Sequence, residues 1–241
     1  MLEINNLTVK YGASDEACAL SDVTLRIAPG ERVAVIGANG AGKSTLLLAL
    51  TGIIAPVFGE ILVDNVHLEK KTLRELRKKL GMVFQNPDDQ LFMPTVYEDA
   101  AFGPRNYGAE EAQTEAAADE IFGKLGIAHL KNRMSHRLSG GEKRLAALAG
   151  VLIMEPSVLL MDEPSSFLDP RARRGLIKIL GGLDRTMVIA THDLDMALDL
   201  CGRAVLLKGG QIRRDGPAEE ILRDGALLEE CGLELPLSLG K

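Results

Sequence analysis

The run GANGAGKST at residues 37–45 combines closely spaced glycines with a lysine and two hydroxyl side chains. It follows the apolar segment RVAVI and precedes KSTLLLAL, which predicts a strand, a loop and a helix in that order. Glycines let backbone N–H groups turn inward around an anion, and the amino end of the following helix attracts the same charge. The pattern G-x-x-x-x-G-K-[ST] therefore predicts a loop that binds nucleotide phosphates, rather than a glycine-rich turn that only opens a helix.

In this loop Lys43 is predicted to reach the β- and γ-phosphates, and the Ser44 hydroxyl to ligate Mg²⁺. The residues expected to contact the nucleotide here are Gly37, Asn39, Gly40, Gly42, Lys43, Ser44 and Thr45.

A second candidate is the pair of acids that follows the apolar segment VLLM at residues 158–161. Ligands of open α/β sheets bind at the carboxyl ends of the strands, where Asp162 and Glu163 would lie. Asp162 is predicted to hold Mg²⁺ through water, and Glu163 to polarise the attacking water. The alternative is a strand that ends in solvated acids. The turn that Pro164 imposes and the phosphate loop upstream favour the functional interpretation.

The third candidate is LSGGEKR at residues 138–144, which opens a predicted helix ending near Leu152. Ser139 and Glu142 have the spacing of a capping box, and this alone explains both as structural residues. Gly140 and Gly141, however, destabilise the start of a helix and leave its N–H groups accessible to an anion. The chain is thus predicted to carry two helix ends that could receive phosphate.

The amino-acid composition limits the classes of protein to which the chain can belong. The 241 residues are 46% hydrophobic and 26% charged, with a net charge of −6, which is typical of a soluble protein and unlike a general nucleic-acid binder. The sequence has no apolar run long enough to span a bilayer, and because its first residues have neither a positive nor an apolar region we expect no secretory signal. Three scattered cysteines indicate reduced thiols in the cytosol, and four scattered histidines offer no metal cage.

Strand and helix patterns alternate through most of the chain, which predicts an α/β fold with a mostly parallel core sheet. Two alternating segments near the amino terminus predict antiparallel strands, and the middle of the chain is predicted to be helical. We expect a single domain at 1–241, with a helical subdomain at about 86–152 and a short tail at 217–241.

The order of the phosphate loop, Gln85, LSGGE, Asp-Glu-Pro and His192 resembles the nucleotide-binding domain of ABC-type ATPases over nearly the whole chain. The resemblance implies a P-loop NTPase fold with an N-terminal antiparallel β subdomain and a helical subdomain carrying the LSGG signature. It also implies ATP and Mg²⁺ as ligands, and head-to-tail pairing with a second ATPase subunit. Each ATP would then lie between one phosphate loop and Ser139, Gly140, Gly141 and Glu142 of the other copy.

The same resemblance assigns four further roles. Tyr11 would stack on adenine, Gln85 would contact Mg²⁺ and sense a membrane partner, Asp169 would cross the dimer interface, and His192 would touch the γ-phosphate. Each also has a structural alternative: a strand-end aromatic, a loop amide, a helix N-cap and a polar strand-end residue.

Two residues depart from the family pattern. Glu142 stands where Gln is usual, and Phe167 stands where a small residue is usual. The first changes the charge near ATP and the second the packing expected at the interface, and neither removes a catalytic group.

The loop NPDDQLFMP after Gln85 is similar to ATPases of energy-coupling-factor importers, especially the cobalt/nickel branch. Its acidic pair and its Leu91-Phe92 pair would suit a cationic amphipathic helix of a transmembrane scaffold, and an ordinary solvated turn is the alternative. The short tail also favours cobalt or nickel over a vitamin importer. These resemblances imply a peripheral subunit at the cytoplasmic face of the membrane, with scaffold and substrate-binding membrane partners and no nucleic acid.

Two rival functions remain at this point. One is a soluble ABC ATPase without a transport role, although the sequence has neither long coiled-coil insertions nor a second phosphate loop. The other is a regulatory module that binds ATP without hydrolysing it, which the intact pair Asp162 and Glu163 disfavours.

Overall fold

The computed structural model describes residues 1–12 and 18–240 and divides the chain into two units. The first unit comprises Met1–Leu80, Ser157–Glu163 and Asp184–Lys241. The second comprises Gly81–Pro156 and Pro164–Leu183. The predicted helical region, 86–152, falls within the second unit, which also includes 164–183, and the division into domains remains a prediction.

The strands, in chain order, are β1 Leu2–Val9, β2 Leu20–Ile27, β3 Arg32–Ile36, β4 Phe58–Val63, β5 Val66–His67, β6 Leu80–Val83, β7 Val158–Asp162, β8 Thr186–Thr191, β9 Arg203–Lys208 and β10 Gln211–Pro217. The α-helices are α1 Lys43–Leu50, α2 Leu73–Lys79, α3 Val96–Asn106, α4 Glu111–Leu125, α5 Gly140–Leu152, α6 Pro170–Gly181, α7 Leu194–Leu200, α8 Ala218–Arg223 and α9 Gly225–Glu230. Short 3₁₀ helices cover Pro87–Asp89, Ala128–Leu130 and Ser135–Arg137.

Two sets of strands organise the first unit. An antiparallel sheet has the order β2-β1-β4-β5. The core strands have the order β10-β9-β3-β8-β7, in which β3 runs parallel to β9 and β8, and β7 runs parallel to β8. This confirms the predicted mostly parallel core and the antiparallel strands near the amino terminus.

The burial of β3 explains why its sequence is continuously apolar. Val33, Ala34, Val35 and Ile36 are all fully buried, as are the apolar residues of β8. Strands inside a parallel sheet are covered on both faces, so neither face selects polar residues. β1 instead alternates between buried and more exposed positions, as expected for a strand with one covered face.

The carboxyl ends of β3, β7 and β8 lie at the same edge of the core sheet because these strands are parallel neighbours. The phosphate loop follows β3, Asp162 ends β7 with Glu163 directly after it, and His192 follows β8. The sheet therefore brings the phosphate loop together with groups that lie more than 100 residues further along the chain.

The antiparallel strand β10 was missed at the sequence level. It pairs with β9 from Gln211↔Lys208 to Pro217↔Arg203. Most of its residues are exposed, so it lacks the alternation of apolar and polar residues by which a half-buried strand is recognised.

The second unit is mainly helical and contains α3, α4, α5 and α6. Thr95 and Glu98 form a capping box at the start of α3, and Ser139 and Glu142 form another at the start of α5. These caps satisfy backbone N–H groups that have no partner inside the helix and so fix where each helix begins. Across the described part of the chain, no helix is long and apolar enough to cross a membrane.

Candidate functional site

The phosphate loop has a backbone that only glycine accommodates at two of its positions. Gly42 has φ +106°, and a Cβ placed there would lie 2.8 Å from the carbonyl oxygen of Ala19 and 2.8 Å from Leu20 Cδ2. At Gly37 a Cβ would lie 2.5 Å from the carbonyl oxygen of Leu207. The loop is therefore held closely against neighbouring segments, and these two glycines are required for its shape.

We expect Gly42→Ala to lower the free energy of unfolding by about 3 kcal/mol. Left-handed backbone costs about 1–2 kcal/mol for a residue with a Cβ, and overpacking adds about 1–3 kcal/mol. Gly30 is a matched control in the same unit, with φ +77° and no atom within 4 Å of the place that a Cβ would occupy. Gly30→Ala should cost only about 1 kcal/mol. Urea denaturation measures both variants, and equal losses would contradict the close approach at Gly42.

Lys43 is buried inside the loop, with 6% of its surface exposed. Its ammonium group donates to the carbonyl oxygens of Gly37, at 2.8 Å, and Ala38, at 3.3 Å. The same nitrogen lies 3.8 Å from Glu163 Oε1. The loop thus holds a positive charge at its centre, where an incoming phosphate would be bound.

Glu163, the residue after β7, is fixed by contacts with β8 and with the residue that follows β8. Its N–H donates to the carbonyl of Ala190 at 2.8 Å, and its Oε2 accepts hydrogen bonds from the Thr191 hydroxyl and the His192 N–H, both at 3.2 Å. His192 Nδ1 lies 2.7 Å from the same Oε2. With Oε2 engaged in this way, Oε1 remains on the side of Lys43, so the carboxylate lies between the ammonium group and the imidazole.

Asp162 and Ser44 supply the oxygen donors that Mg²⁺ prefers. Asp162 is a buried carboxylate at the end of β7, and Ser44 is half-buried in the first turn of α1. Within residues 1–12 and 18–240, no group of three or more His, Cys, Asp or Glu side chains could hold a metal ion. Two protein oxygens fit Mg²⁺ that is otherwise coordinated by substrate phosphates and water.

Tyr11 is placed beside the phosphate loop by a hydrogen bond that the sequence did not reveal. Its hydroxyl lies 2.8 Å from Thr45 Oγ1, while the residue as a whole is 63% exposed. Asn39 and Gly40 are exposed at the tip of the loop. An aromatic ring tethered at its hydroxyl and otherwise open to solvent is compatible with base stacking, which remains a prediction.

In the second unit, α5 begins with the predicted capping box. The Ser139 N–H and hydroxyl each lie 2.8 Å from Glu142 Oε2, to which both donate. The next two residues, Gly140 and Gly141, occupy the first helical positions, where backbone N–H groups have no acceptor within the helix. A cleft of about 750 Å³ lies beside this helix end and is lined also by residues of α6.

Gln85 also belongs to the second unit, and its backbone is held by the last residue of the LSGGEKR run, to which the sequence assigned no role. The buried Arg144 donates to the carbonyl oxygens of Phe84 and Gln85, at 2.6 Å each. Gln90 further ties this loop to α5 by donating to the carbonyl of Ala147 at 2.9 Å. An arginine among the small apolar residues of α5 was the available signal, because a buried guanidinium requires acceptors nearby.

Asp169 is the N-cap of α6. Its carboxylate accepts hydrogen bonds from the N–H groups of Arg171, at 2.8 Å, and Ala172, at 2.9 Å. The backbone donors of Ala172 and then Arg171 lower the pKa of this carboxyl below its ordinary value. Two residues earlier, Phe167 has φ +63° and is 86% exposed. Asp169 therefore acts as a helix N-cap, which was the structural alternative for this residue. Its role at a dimer interface remains a prediction.

The candidate residues thus divide between the units. The first unit brings together the phosphate loop, the acids that end β7, the histidine after β8 and the exposed tyrosine, namely Gly37, Asn39, Gly40, Gly42, Lys43, Ser44, Thr45, Asp162, Glu163, His192 and Tyr11. The second unit carries the glutamine, the α5 cap and the α6 cap, namely Gln85, Ser139, Gly140, Gly141, Glu142 and Asp169.

A family model described as ABC transporter matches residues 20–166. The energy-coupling factor transporter ATP-binding protein EcfA of Methanothermobacter thermautotrophicus is 44% identical over 241 residues, covering 98% of this chain and 77% of the relative. Among solved structures, CbiO1 of Clostridium perfringens, described as part of the ABC transporter complex CbiONQ, is 37% identical. Its TM-score is 0.83, over 95% of this chain and 93% of that chain.

A second solved structure is a dimer of the ATP-binding cassette MJ0796 in a post-hydrolysis state, bound to ADP and Pi. It is 28% identical, with a TM-score of 0.81 over 90% of this chain and 99% of that chain. Both solved proteins share the fold of this chain over at least nine-tenths of its length.

Proposed function

Because this chain belongs to the family of ABC transporter ATP-binding proteins and is an ATPase, we propose that two copies of it power an energy-coupling-factor importer of cobalt or nickel. The observation that carries the proposal is the division of phosphate-receptive groups between two surfaces. One surface is the loop around Lys43, and the other is the start of α5 at Ser139. The relationship to EcfA and CbiO1 supports the importer class.

In the proposed reaction, the loop and Lys43 bind the β- and γ-phosphates of ATP and stabilise the charge that develops during transfer. Glu163 polarises the water that attacks the γ-phosphorus; the bond from this phosphorus to the bridging oxygen breaks, and ADP and inorganic phosphate are the products. The position of Glu163 is fixed by Thr191 and His192. His192, whose side chain is 61% exposed, is available to contact the γ-phosphate. When bound with ATP, Mg²⁺ would be held by Ser44 and Asp162 and would neutralise phosphate charge, while the contact of Gln85 with Mg²⁺ stays a prediction.

The proposed pairing of two chains is based on the surface at the start of α5. The Gly140 and Gly141 N–H groups and the Ser139 hydroxyl lie at an exposed helix amino end, where an anion is stabilised by the helix dipole. In a head-to-tail pair this surface would complete the site on the other copy, and Asp169 would lie at the same interface. The dimeric MJ0796 cassette, which holds ADP and Pi, supports this arrangement.

The loop after Gln85 is the proposed contact with the membrane partner. Phe92 is 63% exposed and packs edge-on against Phe102, with the ring centroids 4.8 Å apart. The carboxylate of Asp88 forms an ion pair with Lys143, at 2.6 Å, while the neighbouring Asp89 is exposed. A solvent-facing aromatic pair beside an acidic residue suits a cationic amphipathic helix.

The loop is also mechanically linked to the start of α5. Asp88 is paired with Lys143, the residue after Glu142, and Arg144 holds the carbonyls of Phe84 and Gln85. A displacement of the loop by a membrane helix would therefore be passed to the Ser139 surface through short polar contacts. In the proposed cycle, closure on ATP pulls the scaffold and reopening follows hydrolysis.

We expect Phe92→Ala to reduce co-purification with the membrane scaffold by about 30-fold or more, as for a central aromatic anchor. Leu237→Ala is the matched control, because Leu237 is an exposed apolar residue of the first unit. The measurement is the amount of multi-spanning partner retained by the tagged chain from detergent-solubilised native membranes. Equal retention by both variants would place the docking surface elsewhere.

Transport itself is tested by ATP-dependent uptake in cells with and without the gene for this chain, using radioactive cobalt, radioactive nickel and B vitamins. Loss of cobalt or nickel uptake alone is the expected result. Loss of vitamin uptake alone would assign the chain to the vitamin branch. Unchanged uptake of all three, with no membrane partner, would favour a soluble ABC ATPase.

A further inference from the structure

The carboxylate of Glu142 holds the donors that the start of α5 would offer to a phosphate. Its Oε2 accepts both the N–H and the hydroxyl hydrogen of Ser139, each at 2.8 Å. In return, the Ser139 oxygen accepts the N–H of Glu142 at 3.4 Å. The hydroxyl hydrogen of Ser139 cannot serve the carboxylate and a phosphate oxygen at full strength together. An anion arriving at this helix end must therefore displace or share these hydrogen bonds.

The competing group is itself negatively charged. The backbone and then the side-chain hydrogen bonds of Ser139 lower the pKa of the Glu142 carboxyl, and the nearby Arg133 and His129 act in the same direction. The carboxylate is half-buried next to the exposed Ser139 and Gly140. A γ-phosphate would thus meet a like charge at the point where the helix end otherwise attracts anions.

The capping box at the start of α3, in the same unit, differs from that of α5 in the residues that follow it. At the start of α3, the Thr95 hydroxyl donates to Glu98 Oε2 at 2.8 Å, and the Glu98 N–H donates back at 3.3 Å. That helix continues with Val96 and Tyr97, which carry bulky side chains at its first two positions. The α5 box has the same geometry, but two glycines follow it and leave the backbone accessible.

We propose that Glu142 is a positioning residue that holds Ser139 in the ATP-free chain, and that its charge opposes the γ-phosphate and weakens ATP-driven pairing. This inference rests on the proposed function, because it assumes that the Ser139 surface meets the ATP of a second copy. Its consequence is a closed pair that releases its products readily. A neutral hydrogen-bond acceptor at position 142 would keep the capping hydrogen bonds and remove the repulsion of the γ-phosphate.

The test compares ATP-driven pairing in a background that does not hydrolyse ATP, Glu163→Gln. Sedimentation equilibrium over a series of ATP concentrations gives the dimer dissociation constant. Glu142→Gln should tighten pairing about fivefold for each site, or about 25-fold for a pair with two sites, because hydrogen bonds to a neutral acceptor are weaker than those to a carboxylate. Glu98→Gln, the matched change at the other capping box, should leave pairing unchanged.

Ser139→Ala provides the double-mutant cycle. In the absence of the Ser139 hydroxyl, Glu142→Gln should tighten ATP-driven pairing by a smaller factor, because part of the effect of Glu142 on pairing acts through Ser139. The melting temperatures of all variants are measured in parallel. If Glu142 served only as a helix cap, the Glu142→Gln variant should form dimers with the same dissociation constant as its parent, since either Glu or Gln completes a capping box.

Unchanged or weaker pairing in Glu142→Gln, on a parent that does pair with ATP, would overturn this inference and leave the proposed function standing. A Glu163→Gln parent that binds ATP but does not pair at any concentration would overturn both. Tighter pairing in Glu142→Gln, with Glu98→Gln unchanged, supports the inference. An equal gain in the Ser139→Ala background would instead overturn the part assigned to Ser139.

Discussion

Glu163→Gln should abolish most ATP turnover while leaving ATP binding intact, so that the protein accumulates as a closed pair. The substitution keeps the shape of the side chain and an oxygen that can accept from Thr191 and His192. It removes the negative charge that lies 3.8 Å from the Lys43 ammonium group and that would polarise the attacking water. General-base catalysis typically contributes about 10²–10⁴-fold, so a loss of at least about 100-fold is expected.

The measurements for this variant are steady-state phosphate release, equilibrium binding of ATP and sedimentation with and without ATP. Binding should not weaken, because one anionic group near the phosphates has been removed. Glu220→Gln, an exposed carboxylate on α8, is the control and should change none of the three. Turnover equal to that of the unmodified chain would remove Glu163 from the proposed role.

Lys43→Ala should weaken ATP binding by at least about 30-fold. Removing one partner of a buried, hydrogen-bonded charge pair costs about 2–5 kcal/mol, and 2 kcal/mol corresponds to about 30-fold in affinity. Lys43 is only 6% exposed and lies at the centre of the loop, so water cannot substitute fully for its charge. Calorimetric titration with a slowly hydrolysed ATP analogue measures the affinity directly.

The controls for this variant separate the loss of charge from disruption of the loop. Lys43 donates to the Gly37 and Ala38 carbonyls, so its removal also affects the ligand-free chain, and the melting temperature is recorded. Lys71→Ala, at a lysine whose side chain is 77% exposed, should retain full affinity. A Lys43→Ala chain that is folded and binds ATP as before would contradict the assignment of the phosphate loop.

The sequence predicted the local structure of the candidate site segments, because the signals for that structure are local. The spacing of glycines, lysine and hydroxyls in residues 37–45 and the spacing of Ser139 and Glu142 each describe a single turn of chain. The phosphate loop does lie between β3 and α1, and α5 does begin at Gly140 with the capping box. Patterns of this kind depend on neighbouring residues, and the rest of the fold does not alter them.

What the sequence could not supply was the contact between distant segments. The 2.7 Å approach of Glu163 and His192 depends on β7 and β8 being adjacent, and strand order is not encoded in any one segment. The hydrogen bond between Tyr11 and Thr45, and the grip of Arg144 on the Gln85 carbonyl, likewise require the assembled fold. The partners of Arg144 were not predicted, because an arginine in an apolar helix indicates that acceptors lie nearby but not which residues supply them.

The central claim is that each ATP site is built from the phosphate loop of one copy and the Ser139 surface of another. It is tested by mixing two inactive chains, both in the Glu163→Gln background. One carries Lys43→Ala, and the other carries Ser139→Asp, which preserves a good N-cap but places a carboxylate where phosphate would bind. Neither chain should form an ATP-bound pair alone, because both sites of each pair would be defective.

In the mixture, a pair of unlike chains has one site in which both halves are intact. Native mass spectrometry should therefore detect a heterodimer with a single ATP, and neither homodimer. If each chain held its whole site within itself, mixing would yield no ATP-bound heterodimer. That second result would contradict the composite site and, with it, the proposed mechanism.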